Sequence, residues 1–387
     1  YIQSLLDPKI KPLCKPGQAP TLADGEPLKI GYLSSDLHDH PVGRNVLPLF
    51  QHHDPQRVKL YAYVEGSHPD DPVAEALHAC VAQWRPIQGI SDGNVARLIH
   101  NDGVHVLVVL AAMFDKNRPL IAAYRPAPIQ VSFHNVATTG LEAMDYWLTD
   151  ETIHPEADTR ELFTEALYRL PVFYNYPEPE QAPDVGPLPM DKNHFVTFGS
   201  LNNPGKINHQ VVDLWAEILT ALPDARLMLK YRQSLEDPPV RARILDRFAS
   251  HGVESKRLEL VSALDDITDH LTHYQRIDIA LDPFPFTGAT TTFQALWMGV
   301  PVVALAGENF IGRMATDILA HAGLKEPLLA ESKKEYLEKA VALANNPNAL
   351  REMRLGLRQR IQHSPLLDGA GHARSVEDAY WAMWRQR

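Results

Sequence analysis

Short runs of consecutive apolar residues recur along the chain, and most are followed by stretches whose apolar residues fall three and four apart. The first kind of run suits a strand buried on both faces, and the second an amphipathic helix. In the first half, strands are predicted at 28–33 (LKIGYL), 58–64 (VKLYAYV), 104–110 (VHVLVVL), 129–133 and 146–149, with helices over 42–51, 72–82 and 92–101. The pattern restarts in the second half. Strands are predicted at 194–200, 226–231 and 258–261, in the apolar run ending at Asp282, and at 300–305. Helices are predicted over 210–221, 239–251 and 267–274, from Phe293 onward, and over 335–345, 348–364 and 373–387. Strands alternating with helices define an α/β protein with parallel, doubly wound sheets.

Between the halves, residues 171–193 carry prolines at 171, 177, 179, 183, 187 and 189 with acids among them, the composition of an interdomain linker. The expected division is a linker over 1–26, including a helix end at 1–6, and an N-terminal Rossmann-like domain over 27–170. The 171–193 linker, a C-terminal Rossmann-like domain over 194–370 and a last helix over 371–387 follow. Two such domains are expected to bind a ligand in a cleft between them, at the carboxyl ends of their strands.

The chain has 387 residues, enough for two domains at roughly 150 residues each. Its formal charge of −11 argues against nucleic acid as a partner, because neutralising phosphates needs a surplus of Lys and Arg. No apolar run reaches the roughly 18 residues of a membrane span. Cys14 and Cys80 offer neither a disulfide framework nor a zinc set, which suits a reducing compartment, and the expected location is cytoplasmic. The chain opens on Tyr1 without a signal-peptide pattern, so a further segment is expected upstream.

Three loops after strands hold candidate chemistry. Thr287, Gly288, Ala289, Thr290, Thr291 and Thr292 precede a helix. Such a start offers backbone N–H groups and the positive end of the helix dipole to a diphosphate, although threonines there also serve as plain N-caps. Lys206 closes SLNNPGK as either a diphosphate ligand or a solvated surface lysine. His40, in HDHP, is either a helix-cap neighbour or a general base. His270 and His273 share one helix face, either solvated or against a nucleobase. Neither GxGxxG nor Asp-x-Asp occurs, and no carboxylate or Cys recurs at ligand spacing, so no metal or resident cofactor is expected.

Several of these stretches together resemble the catalytic region of the O-linked N-acetylglucosamine transferase and SPINDLY family. They are 28–41 (LKIGYLSSDLHDHP), 125–130 (RPAPIQ), Thr139 and Gly140 with 144–150 (MDYWLTD), 198–207 (FGSLNNPGKI) and 278–313. The resemblance implies a GT-B fold and metal-independent, inverting transfer of a sugar from a nucleotide-sugar to Ser or Thr of proteins. It also implies tetratricopeptide repeats upstream. By position, His40 matches the family's active-site histidine, Lys206 its diphosphate lysine, and Thr290 and Thr291 its phosphate-binding threonines, beside Gly288. Asn203 falls at a polar donor contact and His270 near the base. Ala289 and Gln294 depart from the His and the ribose-binding Asp of the N-acetylglucosamine branch. They bring the motif nearer the SPINDLY branch, whose plant members use GDP-fucose. UDP-GlcNAc and GDP-fucose are therefore both expected donors, with a tilt to the latter. The 134–140 loop (HNVATTG) also departs from the family, and leaves open N-transfer from UDP-glucose or a non-catalytic nucleotide-sugar scaffold.

Overall fold

The computed structural model describes residues 10–14, 22–114, 116–157, 161–179, 181–263 and 267–387; the helix end expected at 1–6 lies outside them. The chain divides into two compact units, Tyr1–Pro177 with Leu367–Arg387, and Glu178–Leu366.

In the first unit, β1 (Leu28–Ser34), α1 (Pro41–His52), β2 (Val58–Val64), α2 (Pro72–Ala79), β3 (Gln83–Pro86), α3 (Asp92–Asn101), β4 (Val106–Leu110), β5 (Ile129–Phe133), β6 (Tyr146–Asp150) and β7 (Ala166–Leu170) follow one another. The strands form one parallel sheet in the order β3-β2-β1-β4-β5-β6-β7. Every residue of β4 and β5 is buried; β4 (VLVVL) is continuously apolar accordingly, while β5 (IQVSF) also buries Gln130 and Ser132. The two strands that the pattern did not mark, β3 and β7, lie at the two ends of the sheet. Edge strands are covered less completely, and QWRP and ALYRL mix polar residues into them accordingly.

The second unit runs α4 (Pro189–Asn193), β8 (Thr197–Ser200), α5 (His209–Ala221), β9 (Arg226–Lys230), α6 (Pro238–Ser250), β10 (Leu258–Val261), α7 (Ile267–Thr272), β11 (Ile279–Leu281), α8 (Thr290–Trp297), β12 (Val302–Leu305), α9 (Phe310–His321), α10 (Lys325–Leu328), β13 (Leu329–Ala330), α11 (Lys333–Ala344) and α12 (Pro347–Gln362). Its parallel sheet has the order β10-β9-β8-β11-β12-β13, the same permutation as the first six strands of the other unit. Part of the expected linker is built into this unit. The buried Asp278 carboxylate accepts N–H bonds from Met190 at 2.9 Å and Thr197 at 2.8 Å, and the buried Arg354 guanidinium donates to the carbonyls of Gly186 and Ile277 at 2.8 Å.

The last helix, α13 (Gly369–Gln386), starts at Gly369 and belongs to the first unit, although the whole of the second precedes it in sequence. Glu377, fully buried, accepts from the Asp54 N–H at 2.8 Å and from Arg57 Nη1 at 2.9 Å, with His53 Nδ1 at 3.1 Å. The Tyr32 and Tyr380 hydroxyls meet at 3.0 Å, and the Trp384 ring lies 4.8 Å from His105. These partners lie some three hundred positions back along the chain, beyond any local pattern. Burial pushes the His53 imidazole below its usual pKa, against the opposing pull of Glu377. Replacing one partner of a buried network strands the others, so Glu377→Ala is expected to lose about 3–5 kcal/mol, read as a lower urea midpoint for the first unit.

Candidate active site

In each sheet the strand order reverses beside the first strand, between β1 and β4 and between β8 and β11. Loops leaving the carboxyl ends of strands at such a reversal turn to opposite faces and leave a crevice, the usual ligand position in doubly wound sheets. In the second unit these loops are 201–208 and 282–289. They carry Lys206 and lead into Thr290 and Thr291, so the topology brings these candidates to one place.

Asp282 anchors the second loop. Its buried carboxylate accepts the Gly288 N–H at 3.0 and 2.9 Å and the Thr292 hydroxyl at 3.3 Å. Gly288 has no room for a side chain, since a Cβ there would sit 2.5 Å from both Asp282 Oδ1 and Thr292 Oγ1. Burial raises the Asp282 pKa to about 6, opposed by the Gly288 N–H and the Lys206 charge.

Lys206 Nζ donates to the Thr287 carbonyl at 2.8 Å and lies 4.0 Å from the Phe286 ring centroid. Desolvation lowers its pKa to about 8, with Asp282 pulling the other way. The ammonium therefore remains charged at neutral pH. Opposite the 201–208 loop, α8 begins at Thr290, earlier than the pattern suggested, with Ala289 as N-cap and no side-chain capping bond. The first-turn amides that a helix leaves without internal partners are thus not taken up by a cap.

Asn202, which the sequence did not single out, joins the two loops by accepting from the Thr291 hydroxyl at 3.0 Å. The neighbouring Asn203 has a different place: its Oδ1 accepts the Gly205 N–H at 2.9 Å and shapes the turn Pro204–Lys206 that carries the lysine. His270 and Gln294 are brought together, with His270 Nε2 at 3.2 Å from Gln294 Oε1. On the other side of the ring, Nδ1 lies 3.0 Å from the buried Lys230 Nζ. An ammonium can only donate, so Nδ1 accepts and Nε2–H donates to Gln294, which fixes a neutral His270. Lys230 was missed; a lysine closing the apolar strand RLMLK is its one signal in the sequence.

His40 belongs to the first unit, as the N-cap of α1 after β1. The preceding loop is braced by the buried Asp36, which accepts from the Ser35 hydroxyl at 2.6 Å and from Asn117 Nδ2 at 2.7 Å. Gly43 lets α1 approach this loop, where a Cβ would stand 2.1 Å from the His38 carbonyl oxygen. His40 Nδ1 accepts the Val42 N–H at 3.3 Å, so the neutral ring carries its proton on Nε2.

Two doubly wound Rossmann-like units make this an α/β protein of the GT-B class. The chain belongs to glycosyl transferase family 41, whose profile matches residues 11–176 and 187–376. It is 38% identical over 95% of its length to the probable UDP-N-acetylglucosamine–peptide N-acetylglucosaminyltransferase SPINDLY of Oryza sativa subsp. japonica, covering 40% of that protein. It is 28% identical over 97% of its length to the SEC protein of Arabidopsis thaliana described by the same activity, covering 39% of it. The chain thus spans about 40% of the length of such curated relatives. Among solved structures, a point mutant of the Thermobaculum terrenum O-GlcNAc transferase superposes with a TM-score of 0.86 at 37% identity, over 94% of this chain and 68% of that one.

An anion bridging Lys206 and the start of α8 requires the ammonium charged. The folded-state pKa of about 8 lies below the ordinary 10.5, so the charge is present below pH 8 and lost as pH rises through it. Calorimetric titration with UDP and GDP is expected to show affinity falling by up to about tenfold per pH unit above 8, and a flat profile in Lys206→Met.

Proposed function

We propose that the chain is the catalytic region of a metal-independent, inverting protein O-glycosyltransferase that moves a sugar from a nucleotide-sugar to Ser or Thr hydroxyls. The observation that carries this reading is Lys206, fixed on the Thr287 carbonyl at the sheet's point of reversal beside the first turn of α8. When the bond from the anomeric carbon to the diphosphate breaks, its electron pair stays on the leaving oxygen. Negative charge then grows where Lys206 and the α8 amides can meet it, and stabilisation concentrated at that moment accelerates the chemical step. These groups would supply the positive charge that a divalent ion supplies in other transferases.

The acceptor hydroxyl attacks the opposite face of the sugar and releases its proton to solvent. His40 Nδ1 is occupied in accepting the Val42 N–H, an arrangement that suits orienting a substrate group rather than taking a proton from one. We therefore assign His40 the role of positioning the acceptor or donor. The names of the relatives supply the protein acceptor and UDP-GlcNAc as one donor. GDP-fucose is the other, favoured by Ala289 and by Gln294, which is held on His270. We also place the reaction in the cytoplasm, in keeping with two cysteines that form no disulfide; among the described residues no helix is long and apolar enough to cross a membrane.

In a thermal-shift panel of UDP-GlcNAc, GDP-fucose and UDP-glucose, the true donor at a hundredfold excess over its Kd is expected to add about 2.7 kcal/mol of stability. Lys206→Ala is expected to lower turnover about a hundred- to a thousandfold with the fold retained by circular dichroism; near-normal turnover would remove the assignment.

A further inference from the structure

A cavity of about 300 Å³ opens in the first unit at the carboxyl ends of β2 and β3, lined among others by His68, Asp70, Glu75, His78 and Trp84. Its wall is tied to the loop that presents His40. The His68 ring stacks on His38 at 3.8 Å with 12° between planes, and His38 lies 5.7 Å from His40. The Asp39 N–H donates to the Asp71 carboxylate at 2.9 and 3.1 Å, and the same carboxylate caps α2 through the Ala74 N–H at 2.9 Å. Cavity and histidine loop therefore form one hydrogen-bonded piece, two ring-to-ring steps apart. An extended peptide advances about 3.3–3.6 Å per residue, so a chain with its hydroxyl at His40 would bring a side chain two to four residues away into this cavity.

The lining defines what that side chain would be. Trp84 stands half-buried on the edge strand β3, with the His78 ring 5.1 Å away, while its neighbour Arg85 is bound to Asp102 at 2.9 Å. Asp70 and Glu75 enter no ion pair among the described residues, unlike Asp71. An indole with two uncommitted carboxylates favours a cation, through the negative face of the ring and through direct charge attraction. Burial and the neighbouring His38 hold the His68 imidazole below its usual pKa, so His68 adds no opposing charge at neutral pH.

We propose that this cavity is an acceptor subsite that takes a Lys or Arg side chain of the protein substrate, two to four residues from the modified hydroxyl, with Trp84 as the platform and Asp70 and Glu75 as counter-charges. The proposal rests on the transferase reading for its acceptor, but its test does not depend on turnover. Fluorescein-labelled peptides with one central Ser, and a single Arg walked through an otherwise uncharged Gln and Ala background, are titrated into the full chain and followed by anisotropy. Arg at one position within four residues of the Ser is expected to tighten Kd about tenfold. That preference should vanish in Trp84→Ala and in the D70N/E75Q double variant, whose exposed positions leave folding untouched, while thermal shifts with UDP and GDP stay as in the parent. Absence of peptide binding, absence of any Arg preference, or a preference that survives both variants overturns the subsite. Failure of UDP and GDP to shift the parent protein instead removes the donor reading, and leaves the peptide result to stand or fall separately.

Discussion

A buried carboxylate holds the candidate active site in shape. Asp282 is withdrawn from water at the end of β11, and its charge is supported by the Gly288 N–H, the Thr292 hydroxyl and the nearby Lys206. An unpaired buried charge would be costly, so the loop from 282 to 288 is held in the one arrangement that supplies these donors. Gly288 is part of that arrangement because no other residue leaves the carboxylate its space. The anchoring extends into the core, where the Asp282 carbonyl accepts from the Tyr336 hydroxyl at 3.0 Å and Tyr336 meets Trp215 Nε1 at 3.2 Å. Helix α8 inherits its direction from this chain of contacts, and so does the carbonyl of Thr287 on which Lys206 rests.

The two units repeat one topology and equip it differently. Each reverses its strand order at the same point in the permutation. In the second unit that point holds an ammonium and an uncapped helix start, suited to a developing negative charge. The corresponding loops of the first unit hold a braced carboxylate, Asp36, bridged by Asn117, with His40 at the following helix N-cap. The difference follows from loop residues rather than from the shared sheet.

The sheets and most helices were legible in the sequence because burial on both faces forces continuous apolar runs, as in VLVVL of β4, and because helices bury one stripe. Strands β3 and β7 escaped notice because edge positions tolerate polar residues, and β13, a two-residue strand, leaves no periodic signal. Lys206, Thr290 and Thr291 were readable because strand, turn and helix start are local features. Asn202 was not, since its value lies in reaching Thr291 across 89 positions, whereas the adjacent Asn203 serves the turn. Lys230 became visible only through His270 and Gln294, which share no local pattern with it.

The amino-acid sequence by itself therefore determined the class of sheet, the reversal loops worth searching and the resemblance of their motifs. Each of these depends on residues within a turn or two of one another. Tertiary structure alone decided that α13 returns to the first unit, where the buried Glu377 meets His53, Asp54 and Arg57. It also decided which protons His40 and His270 carry, because a tautomer is fixed by the partner of the other ring nitrogen. For His270 and for α13 those partners lie far away along the chain, and their contacts exist only once the backbone has folded.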